Sequence, residues 1–122
     1  MNIKEYEALI NQEPHIRYEY FIKSVCETKE VWVLFKDSCA TLIDSEGNTR
    51  FPFFPRKEFA ETCAKATEFK AESIDLDHFM NDWIKQMKSD GIKAAIFPND
   101  KNMTIVDVDV LLGDLEKELK NY

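Results

Sequence analysis

Five side chains in this sequence could serve as soft metal ligands, or as a nucleophile and its base: Cys26, Cys39, Cys63, His15 and His78. A zinc site asks for ligands a few residues apart, so that one turn presents two at once. Here 12, 23 and 14 residues intervene in succession from Cys26 to His78, so no metal site is expected. Nucleophilic catalysis asks for a thiol beside a base. Cys39 or Cys63 with His78 would make a small thiol-dependent enzyme. Such a thiol needs an electropositive setting, and this chain is acidic; buried or half-buried packing thiols are the simpler reading. The pairs Asp75/Asp77, Asp107/Asp109 and Glu116/Glu118 are spaced i, i+2, which on a helix points them to different sides and makes no acid–base dyad. Asp75 and Asp107 fit helix N-caps instead. Three glycines cannot build a phosphate-binding loop, and no cofactor is expected. Arg50, Arg56 and Lys57 form a small basic spot that either holds an anion at a helix start or only solvates a turn.

The elements that would position these groups follow from the apolar periodicity. Ile3, Tyr6, Leu9 and Ile10 predict a short helix over 3–11, inside an N-terminal helical extension, 1–14. Pro14 interrupts it. A second helix is expected from about His15 to Thr28, with Ile16, Tyr20, Phe21 and Val25 as its stripe and Arg17, Glu19 and Lys23 outside. Strands are predicted over 30–35, 39–44 and 49–54, the last two joined by a hairpin turn in which Gly47 takes positive φ. Pro52 cannot donate to a central ladder, so the third strand reads as an edge, bulged or short. A helix over 56–67 follows, then a strand over 68–74 and a helix over 76–90 capped by Asp75 and ended by Gly91. Strands over 93–97 and 103–106 and a helix capped by Asp107 complete the chain. The order is ααβββα(β)αββα: one α+β domain over 1–122, with a mainly antiparallel sheet of about five strands and about five helices.

Composition agrees with one soluble domain. A chain of 122 residues with 44% hydrophobic content, including nine Phe, can build one core. The net charge of −7 disfavours nucleic acid, which needs concentrated Lys and Arg. Residues 71–122 carry eleven acids against six bases, so the excess sits in the C-terminal half. It either solubilises the surface or steers a basic partner. No run approaches a membrane span, no signal peptide is visible, and the three cysteines fit a reducing, cytoplasmic setting.

The segment Phe51-Pro52-Phe53-Phe54-Pro55 admits two outcomes. Successive side chains of a strand alternate, so its three Phe cannot share one face. Either helices cover both faces and the turn is a buried corner, or one aromatic is exposed as a partner anchor. In the anchor reading Trp32, Phe53, Phe54, Pro55 and Arg56 bind a protein partner. Phe51-Pro52, Phe54-Pro55 and Phe97-Pro98 are also candidate cis bonds.

The segments RYEYFIKSVCETKEVWVL, FPFFPRKEFAETCA, DLDHFMNDWI and AAIFPND, followed by an acidic Leu-rich helix, occur in this order. That layout resembles domain-of-unknown-function family 2750, small and mostly bacterial proteins, over roughly Tyr6 to Leu119. Phe54 departs from the resemblance, which implies Trp there. The family carries no activity over to any residue. The strand–turn–helix layout is also similar to small toxin-immunity domains, and architecture alone specifies no function. The expectation is a non-catalytic protein-binding or regulatory domain of immunity-like type with a basic protein partner. The thiol enzyme is the alternative, and a homodimer through the proline-bearing edge strand is a further possibility for assembly.

Overall fold

The computed structural model describes residues 2–64 and 67–122. Helix α1 (Ile3–Ile10) starts at Asn2, whose side chain accepts from the Glu5 N–H at 2.8 Å. Helix α2 (Pro14–Thr28) begins with its proline, where the missing N–H costs nothing, and ends at Lys29 in the left-handed region. Strand β1 (Glu30–Lys36) follows at once.

Among the described residues the strands form two sheets. The first has order β2–β1–β5, where β2 is Ser38–Cys39 and β5 is Lys70–Asp75. All six β5 residues pair antiparallel with β1, from Glu30↔Asp75 to Phe35↔Lys70. The second has order β3–β4–β6–β7, made of Leu42–Ile43, Thr49–Phe53, Lys93–Ile96 and Thr104–Val106. Here β4 and β6 run parallel, while the other pairs are antiparallel. The α+β class holds, with seven described strands instead of about five. The strand expected over 39–44 is split, because the chain changes partner between β2, which pairs β1, and β3, which pairs β4.

Strand β4 is internal, which corrects its assignment to an edge, and Pro52 explains how this is possible. The Phe97 N–H donates to the Phe53 carbonyl at 2.8 Å, so Phe53 turns its backbone groups toward β6. Neighbouring residues point the other way. On that other side β3 reaches only Thr49 and Arg50, and β1 joins only at Phe54, through a two-way bond with Trp32 (3.0 and 2.9 Å). Pro52 occupies the gap between them, where no donor is required. The same Trp32–Phe54 bridge ties the two sheets together. The strand on which the homodimer expectation rested thus has neighbours on both sides within the chain. Among the described residues no peptide bond is cis.

Helix α3 (Lys57–Cys63) is shorter than the expected 56–67; residues 65 and 66 lie outside the described residues. Helices α4 (Leu76–His78) and α5 (Ile84–Asp90) are joined by a π-helical turn, Phe79–Trp83, into one rod over 76–90. Asp75 caps the rod, accepting from the N–H groups of Asp77 and His78, and Gly91 closes it at φ 70°. Helix α6 (Val108–Leu119) starts at Asp107 without a side-chain cap bond; that carboxylate lies 3.4 Å from Lys93 Nζ instead. The hairpin turn forms as expected. Asp44 accepts from the Glu46 and Asn48 N–H groups, both at 2.9 Å, and Gly47 sits at φ 84°.

One core gathers Phe21, Val25, Val31, Phe53, Phe59, Phe79 and Leu111 with their neighbours. Arg17, expected outside, is 1% exposed, whereas Ile16, expected inside, is 38% exposed. Helix α2 is covered on two sides, by α6 and by the β6–β7 hairpin, so its buried sector is wider than one stripe. The Arg17 guanidinium donates to the Asn102 carbonyl at 3.1 Å and to its side chain, and lies 5.8 Å from the Phe97 ring centre. Burial lowers its pKa.

Candidate functional site

The aromatic turn is a buried corner. Phe53 and Phe54 are 0% exposed, and Pro55 is buried with them. They face opposite sides of the strand, so both sides are covered at this point. A partner could reach only Trp32 and Arg56 of the five expected binding residues, and both are half-buried. Arg56 Nε donates to the Tyr20 hydroxyl at 2.9 Å, while Arg50 pairs with Asp44 at 2.9 Å. The expected basic spot is thus divided between two internal partnerships. The helix start read as an anion site is that of α3, where Arg56 holds the cap position without a side-chain cap bond.

A cavity of about 380 Å³ lies between the rod and the adjoining strands. Its floor is apolar: Phe51 from β4, with Trp83 and Met87 from the rod. The Phe51 and Trp83 rings meet edge to face at 6.2 Å, and Trp83 also meets Phe53 edge to face at 6.1 Å. One rim is polar, formed by His78, Asp82, Gln86 and Asp90. His78 Nδ1 lies 2.6 Å from the Asp82 carboxylate. One stretch further on, the Gln86 amide donates to both Asp90 oxygens at 3.1 Å. Each carboxylate is therefore held by a side chain four positions before it.

The π turn reduces the drift along the first part of this rim. A four-residue repeat on an α-helix drifts by about 40° per step, because 3.6 residues make a turn. Three such steps would carry Asp90 far around the rod from His78. A π turn places more residues in one turn and offsets the drift over the step from His78 to Asp82, and such turns recur at functional sites. Here it spans Phe79–Trp83, between His78 and Gln86.

Cys39 and His78 line this same cavity, as the thiol-enzyme alternative requires. The electrostatics run against a thiolate. Burial and then the Glu72 carboxylate push the Cys39 pKa up, where a nucleophile needs it lowered. Cys63 is exposed, contrary to the expectation for it, and lines a different cavity beside Tyr6 and Phe59. Desolvation against that wall still raises its pKa. Cys26 is buried, with its thiol donating to the Leu115 carbonyl at 3.7 Å; burial raises its pKa, and Glu118 adds to the rise. Among the described residues no three His, Cys, Asp or Glu side chains gather as a metal site. No helix among them is long and apolar enough to cross a membrane.

The family described as "Protein of unknown function (DUF2750)" matches the chain over residues 18–119. The chain belongs to that family. The DUF2750 match begins inside α2, so α1 lies outside it and the expected resemblance from Tyr6 was too long at that end. Every residue lining the cavity on the rod falls within the DUF2750 range. No curated protein matches the chain in sequence.

Asp82, Trp83, Gln86, Met87 and Asp90 were not singled out as site residues by the sequence, and Phe51 entered only as one of the three aromatics of the Phe51–Pro55 turn. One signal for them was present: His78, Asp82, Gln86 and Asp90 recur every four residues beside the aromatic Trp83.

Proposed function

We propose that this chain is a non-catalytic protein-binding domain, regulatory or immunity-like in role and cytoplasmic in setting, and that the cavity on the rod receives a basic side chain of its partner. One observation carries the proposal: Asp82 and Asp90 flank an aromatic and apolar floor, and no Lys or Arg is among the described residues lining it. A cation entering there meets carboxylates at the rim and the aromatic rings of Trp83 and Phe51 beside it. A cation over an aromatic face at an exposed site is worth about 0.5–1 kcal/mol. An exposed ion pair adds between about 0.2 and 1 kcal/mol. One basic residue alone gives weak binding, so affinity must come from a segment that makes several such contacts.

Trp32→Phe leaves Trp83 as the remaining tryptophan and makes the floor of the cavity its own reporter. A short Arg-rich peptide should change Trp83 fluorescence saturably at low salt, and the Asp82→Asn/Asp90→Asn double variant should lose the response. A flat titration in the parent protein would sink the proposal.

A further inference from the structure

The two carboxylates on the rod form a repeated unit. His78 holds Asp82 and Gln86 holds Asp90, each across four positions, with Trp83 and Met87 in between. Asp82 and Asp90 stand eight positions apart, which at a rise of 1.5 Å per residue is about 12 Å along the rod. Both line one cavity, so that cavity is a groove with a negative charge toward each end and an apolar middle.

An extended chain advances about 3.3 Å per residue and turns alternate side chains to the same side. Side chains at i and i+4 then share a face at a separation of about 13 Å, close to that of the two carboxylates. The residue at i+2 falls between them on the same face, over Phe51, Trp83 and Met87. We infer that the groove reads an extended peptide segment of the pattern basic–x–apolar–x–basic. This rests on the binding role proposed above and adds to it the spacing and the partner's conformation. Positions i+1 and i+3 point away from the groove and are free to vary. On a helical ligand, by contrast, i and i+4 are only about 6 Å apart along the axis and match one carboxylate at most.

Trp83 fluorescence in Trp32→Phe protein, at one fixed ionic strength, separates the outcomes. The probe is a seven-residue capped peptide, Ala-Arg-Ala-Leu-Ala-Arg-Ala. Comparison peptides move the second Arg to i+2 or, in a longer chain, to i+6, or replace Leu by Ser. The i, i+4 peptide should bind about two- to fivefold more tightly than either shifted peptide, as expected for one exposed ion pair gained. Asp82→Asn and Asp90→Asn should each reduce the i, i+4 peptide to the level of the shifted ones. Unchanged thermal melting would confirm that both variants stay folded. Equal affinity for all spacings overturns the groove pattern while leaving a preference for basic partners intact. Spermidine binding as tightly as the i, i+4 peptide overturns the peptide as occupant. No response to any basic peptide overturns the binding role itself.

Discussion

Phe51 and Phe53 stand two positions apart on β4 and so project from the same face of the strand, yet Phe53 is fully buried and Phe51 is half-exposed in a groove. The rod accounts for the difference. Phe79, in its first part, packs on Phe53 edge to face at 4.8 Å. Trp83, near its middle, touches both rings from one side, at 6.1 Å for Phe53 and 6.2 Å for Phe51. Past that point the face of β4 is not sealed. One strand face therefore passes from core to candidate site within a single pleat repeat. Aromatic content does not distinguish the two; the helix that crosses them does.

Truncating each ring in turn should give the largest difference between the two positions. Phe53→Ala removes a fully buried ring in contact with Phe79, Trp83 and Phe51, and should reduce stability by about 3–5 kcal/mol. Set against a total stability of about 5–15 kcal/mol, that brings a small domain close to unfolding. Phe51→Ala should reduce it by about 1–2 kcal/mol, because its ring is only partly removed from water. Urea unfolding of the two variants reads the gap directly. Equal losses would mean that Phe51 is core and the groove is not a separate region.

Polar groups give the same contrast with the sign of exposure reversed. Arg17 is buried, and its Nε and Nη1 find no partner. Arg17→Ala should lower stability by about 2–4 kcal/mol, through the lost bond to Asn102 and the space left beside Phe97. Arg17→Met should be milder, because it keeps the packing stem and removes the two unpartnered nitrogens. Asp82→Asn, at a side chain 66% exposed, should stay within about 0.5 kcal/mol of the parent. A stability loss at Asp82 comparable to that at Arg17 would place the rim within the structural framework and argue against a binding role.

How far these features could be read in advance depended on whether their cause was local. The Asp75 cap, the Gly91 stop and the Gly47 turn have causes within a few residues, and each was legible. Strand β1 was legible from its β-branched and aromatic run, and its partner β5 was legible in outline. The division of 39–44 into β2 and β3 was not, because a change of partner leaves no mark on the residues that change. Arg17 was misplaced because a helix covered on two sides buries positions that a single stripe leaves out. Asp107 looked like a cap and sits at the cap position, but a cross-strand lysine holds its side chain. The groove needed the phase of the rod. The four-residue repeat from His78 to Asp90 reads as a drifting surface pattern, and only the fold shows that all four residues line one cavity, with a π turn offsetting the first step.

The smallest expected effect is at the Cys39 end of the groove, and it separates binding from thiol chemistry. Burial and Glu72 raise the Cys39 pKa, so at pH 7.5 its thiolate fraction should fall below that of an ordinary cysteine. The thiolate is the species that reacts, so iodoacetamide should label Cys39 more slowly than a free thiol at the same pH. The rate should climb as pH rises toward the raised pKa, because a raised thiol pKa keeps the neutral form through the ordinary range. Labelling can be followed at Cys39 alone by peptide mass spectrometry. His78→Gln should leave the rate nearly unchanged, since Glu72 is the charged neighbour acting on this thiol. A thiol enzyme requires the reverse: fast labelling near neutral pH that slows when His78, held by Asp82 at 2.6 Å, is replaced. Fast, His78-dependent labelling would turn the groove from a place where a basic segment rests into a place where a bond is made.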